Sequence, residues 1–413
     1  MTLLPSRRSA HQQQAAPRAR VREWLFQGLL LLIGYTSVGY PLLIGMLGRL
    51  QARPIPSAAC EPTLSIVIPA YNEERVLARK LASVLSQDYP SERMEIIVAS
   101  DGSTDATDAI VESFAASGVR LARFERMGKT PMIDRAIRLA VNDIVVLTDA
   151  NAILAPGSLR AIAVNFADSS VGGVSADERR EPSSDGSSTP VGFGEQLYWN
   201  YDKSLKRSES RIGSMVSASG SLWAIRRSIV QPITDPSVHD DFALSTQVIR
   251  AGYRLVFEPD AVTWEPPVTR GDAELQRKVR IISGGLRSVY QARDLLLPWN
   301  SGVYALQLWS HKVLRRMTGF GAIALFALTL SLSVARRPIY RCWLAAQVGF
   351  YTLAALGWVG ERRAWGKRPW LAAPYYICLS LIASMIGFVN FLRGRIDLHW
   401  QRASDVEAGE SGQ

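Results

Sequence analysis

The chain has 413 residues, 47 % of them hydrophobic, and 47 Lys and Arg against 37 Asp and Glu give it a net charge of +10. Much of that excess sits beside apolar runs, at Arg315, Arg316, Arg336, Arg337, Arg362, Arg363, Arg393 and Arg395, which suits lipid headgroups and argues against a nucleic-acid-binding stripe. The three cysteines, Cys60, Cys342 and Cys378, and the four scattered histidines show no metal or redox spacing, so no zinc site is expected.

In chain order, residues 1–24 are a polar tail, disordered or lying on a membrane surface. Residues 25–47 carry no charge, long enough to cross a bilayer core and too long for a cleaved signal peptide. Residues 48–63 read as a linker, extended at Arg53-Pro54-Ile55-Pro56-Ser57. From 64 to 298 strands alternate with helices, the pattern of a doubly wound parallel α/β sheet. Leu64 to Pro69 is a strand running into Tyr71-Asn72-Glu73, and Glu73 to about Gln87 is a helix. Met94 to Ala99 is a strand ending in Ser100-Asp101-Gly102-Ser103-Thr104-Asp105. A helix over 105–117, a strand over 119–124 and a helix over 129–141 follow.

Ile144 to Thr148 is an apolar, β-branched run that ends on Asp149-Ala150-Asn151. Two readings are open there: the polar pair caps the next helix, or it is delivered as ligands at the carboxyl end of a buried strand. Glu73 and Asp101 end neighbouring strands, and three acid-bearing turns at one sheet edge favour a polar ligand site. No G-x-G-x-x-G or Walker A sequence is present, and Gly128-Lys129 opens a helix with or without an anion to face.

Beyond Ala155 the pattern loosens. Ser175 to Pro190 reads as a mobile surface loop, and Phe193 to Leu205 as an aromatic stretch that packs on the core or lines an acceptor groove. Gly220, in a small-residue turn, permits close approach to a ligand. Asp240 and Asp241 open a helix, where adjacent acids by default act as caps. Gln276 to Tyr290 is a basic helix, and 299–316, with Trp309 and a basic end, an interfacial amphipathic one. Residues 317–392 hold three further spans, near 319–335, 342–360 and 371–392, before a polar tail over 393–413.

Taken together, Pro69 to Glu73, Ser100 to Asp105, Thr148 to Asn151, Ser219 to Arg227 and His239 to Asp241 make the chain resemble the family 2 inverting glycosyltransferases of the GT-A fold. Its layout is similar to the membrane-embedded cellulose, hyaluronan and poly-N-acetylglucosamine synthases. The resemblance implies that Pro69, Tyr71 and Glu73 line a nucleoside pocket and that Asp101 holds the uracil or ribose. It implies Asp149, with Asn151, on a Mg²⁺ or Mn²⁺ ion at the donor diphosphate, and Lys129 and Arg280 as its cations. Asp241, beside Asp240, takes the place of the general base, and Gly220 and Trp223 fall on the acceptor side. Two departures stand out: Asn151 is neutral where the family has Asp, and Ile281 replaces the tryptophan that stacks on a processive acceptor.

The expected activity is transfer from a nucleotide-diphosphate sugar, UDP-linked in the first instance, to a growing surface or exported polysaccharide. The alternatives are a single addition to a polyprenyl-phosphate or other lipid-linked acceptor, and a non-catalytic scaffold or sugar-nucleotide sensor. The expected setting is the inner (plasma) membrane, with a cytoplasmic catalytic domain, lipid contacts and partners in polysaccharide export. The Arg and Lys distribution favours neither orientation.

Overall fold

The structure is a computed structural model that describes residues 7–53, 60–181, 189–266, 270–334 and 338–395. The linker at Pro54 to Ser57, Arg336, Arg337, residues 182–188 of the expected loop, and the outer parts of both tails lie outside the described residues.

Helix α1 (Arg7–Gly34) passes through a π-helical turn at Tyr35–Gly39 into α2 (Tyr40–Leu50). The polar tail is helical from Arg7, where the sequence suggested disorder or a segment lying on the membrane surface. Then come β1 (Leu64–Ala70), α3 (Leu77–Leu85), β2 (Met94–Asp101), α4 (Thr107–Ser113), β3 (Val119–Phe124), α5 (Lys129–Ile137) and β4 (Ile144–Leu147). The second half adds β5 (Ile153–Leu154), α6 (Ser158–Val164), β6 (Val171–Arg180), α7 (Pro190–Ile212), β7 (Trp223–Arg226), α8 (Asp240–Arg250), β8 (Arg254–Glu265) and α9 (Gly271–Gln291). Short helices α10 (Pro298–Ser301) and α11 (Val303–Gln307) precede α12 (Arg315–Val334), α13 (Pro338–Val359) and α14 (Pro369–Leu392).

One eight-stranded sheet runs β3-β2-β1-β4-β7-β6-β8-β5. The first four strands are parallel, and β6 and β8 are parallel to each other. However, β7 runs antiparallel between β4 and β6, and β5 antiparallel to β8. The sheet is thus mixed rather than wholly parallel, because β7 enters from the turn after α7 and runs back along β4. Ser175 to Arg180, expected as loop, are strand residues: Ser175, Ala176, Asp177 and Glu178 are buried between β7 and β8.

Every residue of β1 is buried, as a strand covered on both faces requires. Its side chains alternate between two cores. Ile66 and Ile68 join Val98, Val146 and helices α3 and α6 on one face. Val67 joins Ile97, Val145, Leu147, Met132 of α5 and Leu244 of α8 on the other. Each such side chain contributes roughly 1.5–3 kcal/mol by burial. Both cores back the sheet edge where β1, β2 and β4 end, and so fix the loops that leave it.

Among the described residues, four helical stretches are long and apolar enough to cross a membrane: Arg20–Leu50, Val303–Val334, Pro338–Val359 and Pro369–Leu392. The second is continuous, because α11 runs through a π-helical turn at Leu308–Leu314 into α12. The expected break between an interfacial helix over 299–316 and a span from 317 is absent. Tyr304 and Leu308 pack with Val216, Phe242 and Val289, so the first turns of that long helix form part of the catalytic domain's own core.

Candidate active site

The loops after β1 and β2 are laced together. Asn72 takes a left-handed backbone (φ 55°), a conformation asparagine tolerates better than most residues. Its Oδ1 accepts from the Thr104 N–H at 2.7 Å, and the Glu73 N–H donates to Thr107 Oγ1 at 2.8 Å. Pro69 is buried in β1, Glu73 is buried, and Tyr71 stays half-exposed. The Arg126 guanidinium lies 3.3 Å from the centre of the Tyr71 ring.

Asp101 differs from expectation. It is fully buried, and its carboxylate accepts from Arg126 at 2.5 Å, from the Met127 N–H at 2.8 Å and from the Gly128 N–H at 3.0 Å. In this conformation it organises the β3–α5 loop rather than presenting itself to a nucleoside. That loop delivers Lys129, the first residue of α5, whose Nζ donates to Asp149 Oδ1 at 2.6 Å.

Asp149 follows the end of β4. Burial raises its affinity for a proton, and the Lys129 charge opposes that. Burial alone would lower Lys129, but Asp149, Asp240 and Asp241 outweigh it and hold the ammonium well above its ordinary value. Gly220 sits against the same carboxylate. A Cβ there would lie 3.3 Å from Asp149 Oδ2, so glycine lets this backbone close on the acid. This puts Gly220 beside Asp149, not apart on an acceptor side. Trp223 is removed from the site altogether: it is fully buried in the core between β4 and β6.

Sequence reasoning passed over Lys80. It is fully buried in α3, and its Nζ donates to Thr148 Oγ1 at 2.6 Å and to the Ala152 carbonyl. It therefore clasps both ends of the turn bearing Asp149 and Asn151. Burial pulls it down to about 7, against the field of Asp149 and Glu265. A signal was present, since Leu77, Lys80, Leu81 and Val84 form the buried stripe of α3. A lysine within an apolar stripe has something to bond.

Across the cleft, α8 begins with His239, Asp240 and Asp241. Burial is the largest influence raising Asp240, and Asp241 adds to it while Lys129 opposes. Burial likewise lowers His239, aided by Lys129 and Arg280 against the two acids. The imidazole rests on α9 where only glycine fits: a Cβ on Gly284 would lie 2.2 Å from His239 Nε2. The His239 N–H donates to Ser288 Oγ at 3.0 Å, and Thr130 Oγ1 donates to the Val238 carbonyl at 2.9 Å, tying α8 to α9 and α5. Arg280 shares α9 with Arg277, but Arg277 is consumed by Glu195 and Glu274 at 3.0 and 2.7 Å. Ile281, 40 % exposed, faces the pocket beside Asp241.

No group of three or more His, Cys, Asp or Glu side chains is placed to hold a metal among the described residues. Asp149 nevertheless already binds a cation, the Lys129 ammonium. A single hard carboxylate with a neutral Asn151 nearby fits Mg²⁺ or Mn²⁺, which use one or two carboxylates and take further ligands from substrate phosphates. A cavity of about 460 Å³ between Asp143, Phe166 and Arg226 opens at the other end of β4 and takes no part.

One sheet edge thus carries a strand-end acid, Asp149, opposite the helix-borne acid pair Asp240 and Asp241. The profile of glycosyltransferase like family 2 matches residues 62–284. The chain belongs to that family and is a glycosyltransferase. It is 26 % identical over 326 residues to an N-acetylglucosaminyltransferase of Mesorhizobium japonicum, covering 70 % of this chain and 74 % of that one. It is 28 % identical to the poly-beta-1,6-N-acetyl-D-glucosamine synthase of Staphylococcus aureus, over 54 % of each chain. The match thus spans about half the length of the latter. Among solved structures, the mannosyltransferase of Pyrobaculum calidifontis, in complex with GDP-Man and Mn²⁺, superposes with a TM-score of 0.69. The superposition covers 90 % of this chain and 99 % of that one, at 22 % identity; at that identity it speaks for the fold.

Proposed function

We propose that the protein is a multi-pass enzyme of the inner (plasma) membrane that moves a sugar, with inversion, from a nucleotide-diphosphate sugar onto a growing surface or exported polysaccharide. A UDP-sugar is the favoured donor, and the domain faces the cytoplasm, where nucleotide sugars are made. One observation carries the reading. Asp149, Asp240 and Asp241 converge electrostatically on Lys129, which is bonded to the first of them.

The donor half of the cleft binds and orients. Tyr71 and Glu73 bound the nucleoside side, while Lys129 and Arg280 supply positive charge to the diphosphate. A Mg²⁺ or Mn²⁺ ion on Asp149, with Asn151 beside it, would act as a Lewis acid that stabilises charge on the leaving diphosphate. With such an ion held by Asp149, Lys129 would be directed to the diphosphate. Asp241 takes the proton of the acceptor hydroxyl as its oxygen attacks C1 and the nucleoside diphosphate departs with the electron pair of the broken bond. Asp240 holds Lys129 in the cleft. Partners in a polysaccharide export system fit this role.

Asp241→Asn keeps the side chain's size and removes its basicity, so transfer should fall about 10²–10⁴-fold with UDP binding unchanged. Loss of UDP binding in step with activity would reassign Asp241 to the donor half. UDP release by the purified protein, screened over nucleotide sugars, separates an enzyme from a non-catalytic sensor.

A further inference from the structure

A second pocket lies beside Asp241. It holds about 70 Å³ between α8, α9 and the start of α12, and its lining includes Asp241, Phe242, Ile281, Leu286, Lys312 and Arg316. A buried water needs about 10–15 Å³ of such space, so there is room for one phosphate group and none for a glycan chain.

Two cations face this space. Lys312 and Arg316 stand one helical turn apart and are half-buried; Arg316 is hydrogen-bonded to Tyr198 and Lys312 Nζ lies 5.8 Å from the centre of the Phe242 ring, and among the described residues neither is in a salt bridge. Asp241 shares the pocket and acts on Lys312, while the other acids are already engaged. Asp202 is taken by Lys206, His311 and Arg315 at 3.1, 3.3 and 3.6 Å, and Glu274 by Arg277 and Lys278 at 2.7 and 3.4 Å. More positive charge stands behind: Lys278 and Arg315 lie 4.2 and 5.0 Å from the centre of the Tyr198 ring. Burial would raise the Tyr198 phenol, yet Arg315, Lys278 and Arg316 together bring it down to about 7. Asp241 offsets one of the two charges in the pocket, and the positive field that remains, at partial burial, favours a further anion.

The surroundings say where that anion comes from. The helix bearing Lys312 and Arg316 is one of the four candidate membrane spans. Exposed Val303, Leu306 and Trp309 on it, and Tyr290 on α9, form an apolar rim with aromatic residues of the kind found at a membrane surface. Phe242, Ile281 and Leu286 make the pocket wall itself apolar beside the charges.

We propose that Lys312 and Arg316 seat the phosphate of a lipid-linked glycan acceptor, so that the sugar beyond the phosphate is presented to Asp241. This deepens the transferase reading and rests on it. The lipid tail leaves along the apolar rim into the bilayer, and the acceptor phosphate stands beside the Asp241 carboxylate.

The test uses the full chain in phosphatidylcholine nanodiscs, titrated with a long-chain polyprenyl phosphate and with the matching uncharged polyprenol, with bound lipid counted by native mass spectrometry. The wild type should hold the phosphate lipid at least tenfold more tightly than the alcohol. A Lys312→Met, Arg316→Met double variant should lose that preference at an unchanged melting temperature, and Lys312→Arg should keep it. Equal binding by wild type and double variant would overturn the proposal. So would displacement of the lipid by millimolar inorganic phosphate, which would make the pocket a site for soluble anions. If the double variant does not fold, Lys312→Met alone should cost severalfold in binding, and no loss there counts against the site. Mn²⁺-dependent UDP binding, measured on the same samples, keeps the two readings apart. Its absence in the wild type would sink the donor reading and leave the lipid result standing.

Discussion

The two halves of the cleft are built from different materials. On the donor side, Glu73, Asp101 and Asp149 each stand at or just beyond the carboxyl end of a parallel strand, and hydrogen bonds between consecutive loops fix their geometry. On the other side, Asp241, Lys312 and Arg316 come from the ends and faces of helices packed across one another. Strand ends place an acid by local chain geometry. Helix faces place a charge only through packing, so the acceptor side depends on distant partners such as Gly284 beneath His239.

The largest effect should come from the donor side. Asp149→Asn removes the carboxylate that pairs Lys129 at 2.6 Å, and loss of such charge stabilisation costs about 10²–10³-fold in rate. Activity and Mn²⁺-dependent UDP binding should fall together, while polyprenyl phosphate binding stays. Loss of the lipid site as well would mean that the two halves are not separable.

A pH effect comes next, from the ion network behind the site. Arg180 bonds Glu195 at 2.9 Å and Glu178 at 3.2 Å, and also Glu265. Burial, with Glu178, pushes the Glu265 carboxyl up to about 7. A carboxyl raised in the folded state binds its proton more tightly there than in the unfolded chain. The stability it contributes is full below about pH 4.5 and is lost as pH rises through about 7. Two and a half pH units correspond to at most about 3 kcal/mol. Melting curves from pH 4.5 to 7.5 should flatten in Glu265→Gln, and an unchanged slope would show that Arg180 keeps Glu265 ionised throughout.

Gly284→Ala probes the acceptor side by packing alone. The new methyl would lie 2.2 Å from His239 Nε2, so the imidazole and the start of α8 must move, at about 1–3 kcal/mol. Transfer should fall with kcat affected more than the affinity for UDP. Unaltered kcat would show that the seating of His239 does not position Asp241.

How far each half could be read in the sequence follows from the same difference. The alternation of apolar runs with acid-bearing turns identified β1, β2, β4 and the loop acids, because a buried strand and its exit turn are local patterns. The antiparallel direction of β7 escaped notice, since Trp223 to Arg226 look alike in either direction, and Trp223 passed for an acceptor-side residue although it fills the core. Ser175 to Arg180 read as loop because their polar side chains suggest solvent. Here they are buried in hydrogen bonds and ion pairs, with Ser219 Oγ donating to Glu178, and with Arg180 and Lys203 paired to Glu178 and Asp177. Lys312 and Arg316 looked like interfacial cations, and only the continuity of the helix through its π-turn places them beside Asp241.

The smallest predicted effect concerns Lys80, where stability and function should move in opposite directions. Its ammonium is fully buried and bonded to two neutral oxygens, those of Thr148 and Ala152, so its charge is stabilised only from a distance. Methionine has nearly the same length and volume, and a volume-conserving exchange in a core usually costs less than about 1.5 kcal/mol. Removing a poorly solvated cation offsets that cost, so Lys80→Met should melt at or above the wild-type temperature near neutral pH. The Thr148 to Ala152 turn, however, loses the clasp that orients Asp149. Outer-shell groups of this kind are worth about 10–100-fold in metal affinity, and the lower end applies here because Thr148 Oγ1 still donates to the Ser221 carbonyl at 2.6 Å. Titration of Mn²⁺ in the presence of UDP should therefore show about a tenfold loss in a protein no less stable than its parent. Equal Mn²⁺ affinity would show that β4 and the Ser221 bond alone hold the turn, and would make Lys80 a matter of packing.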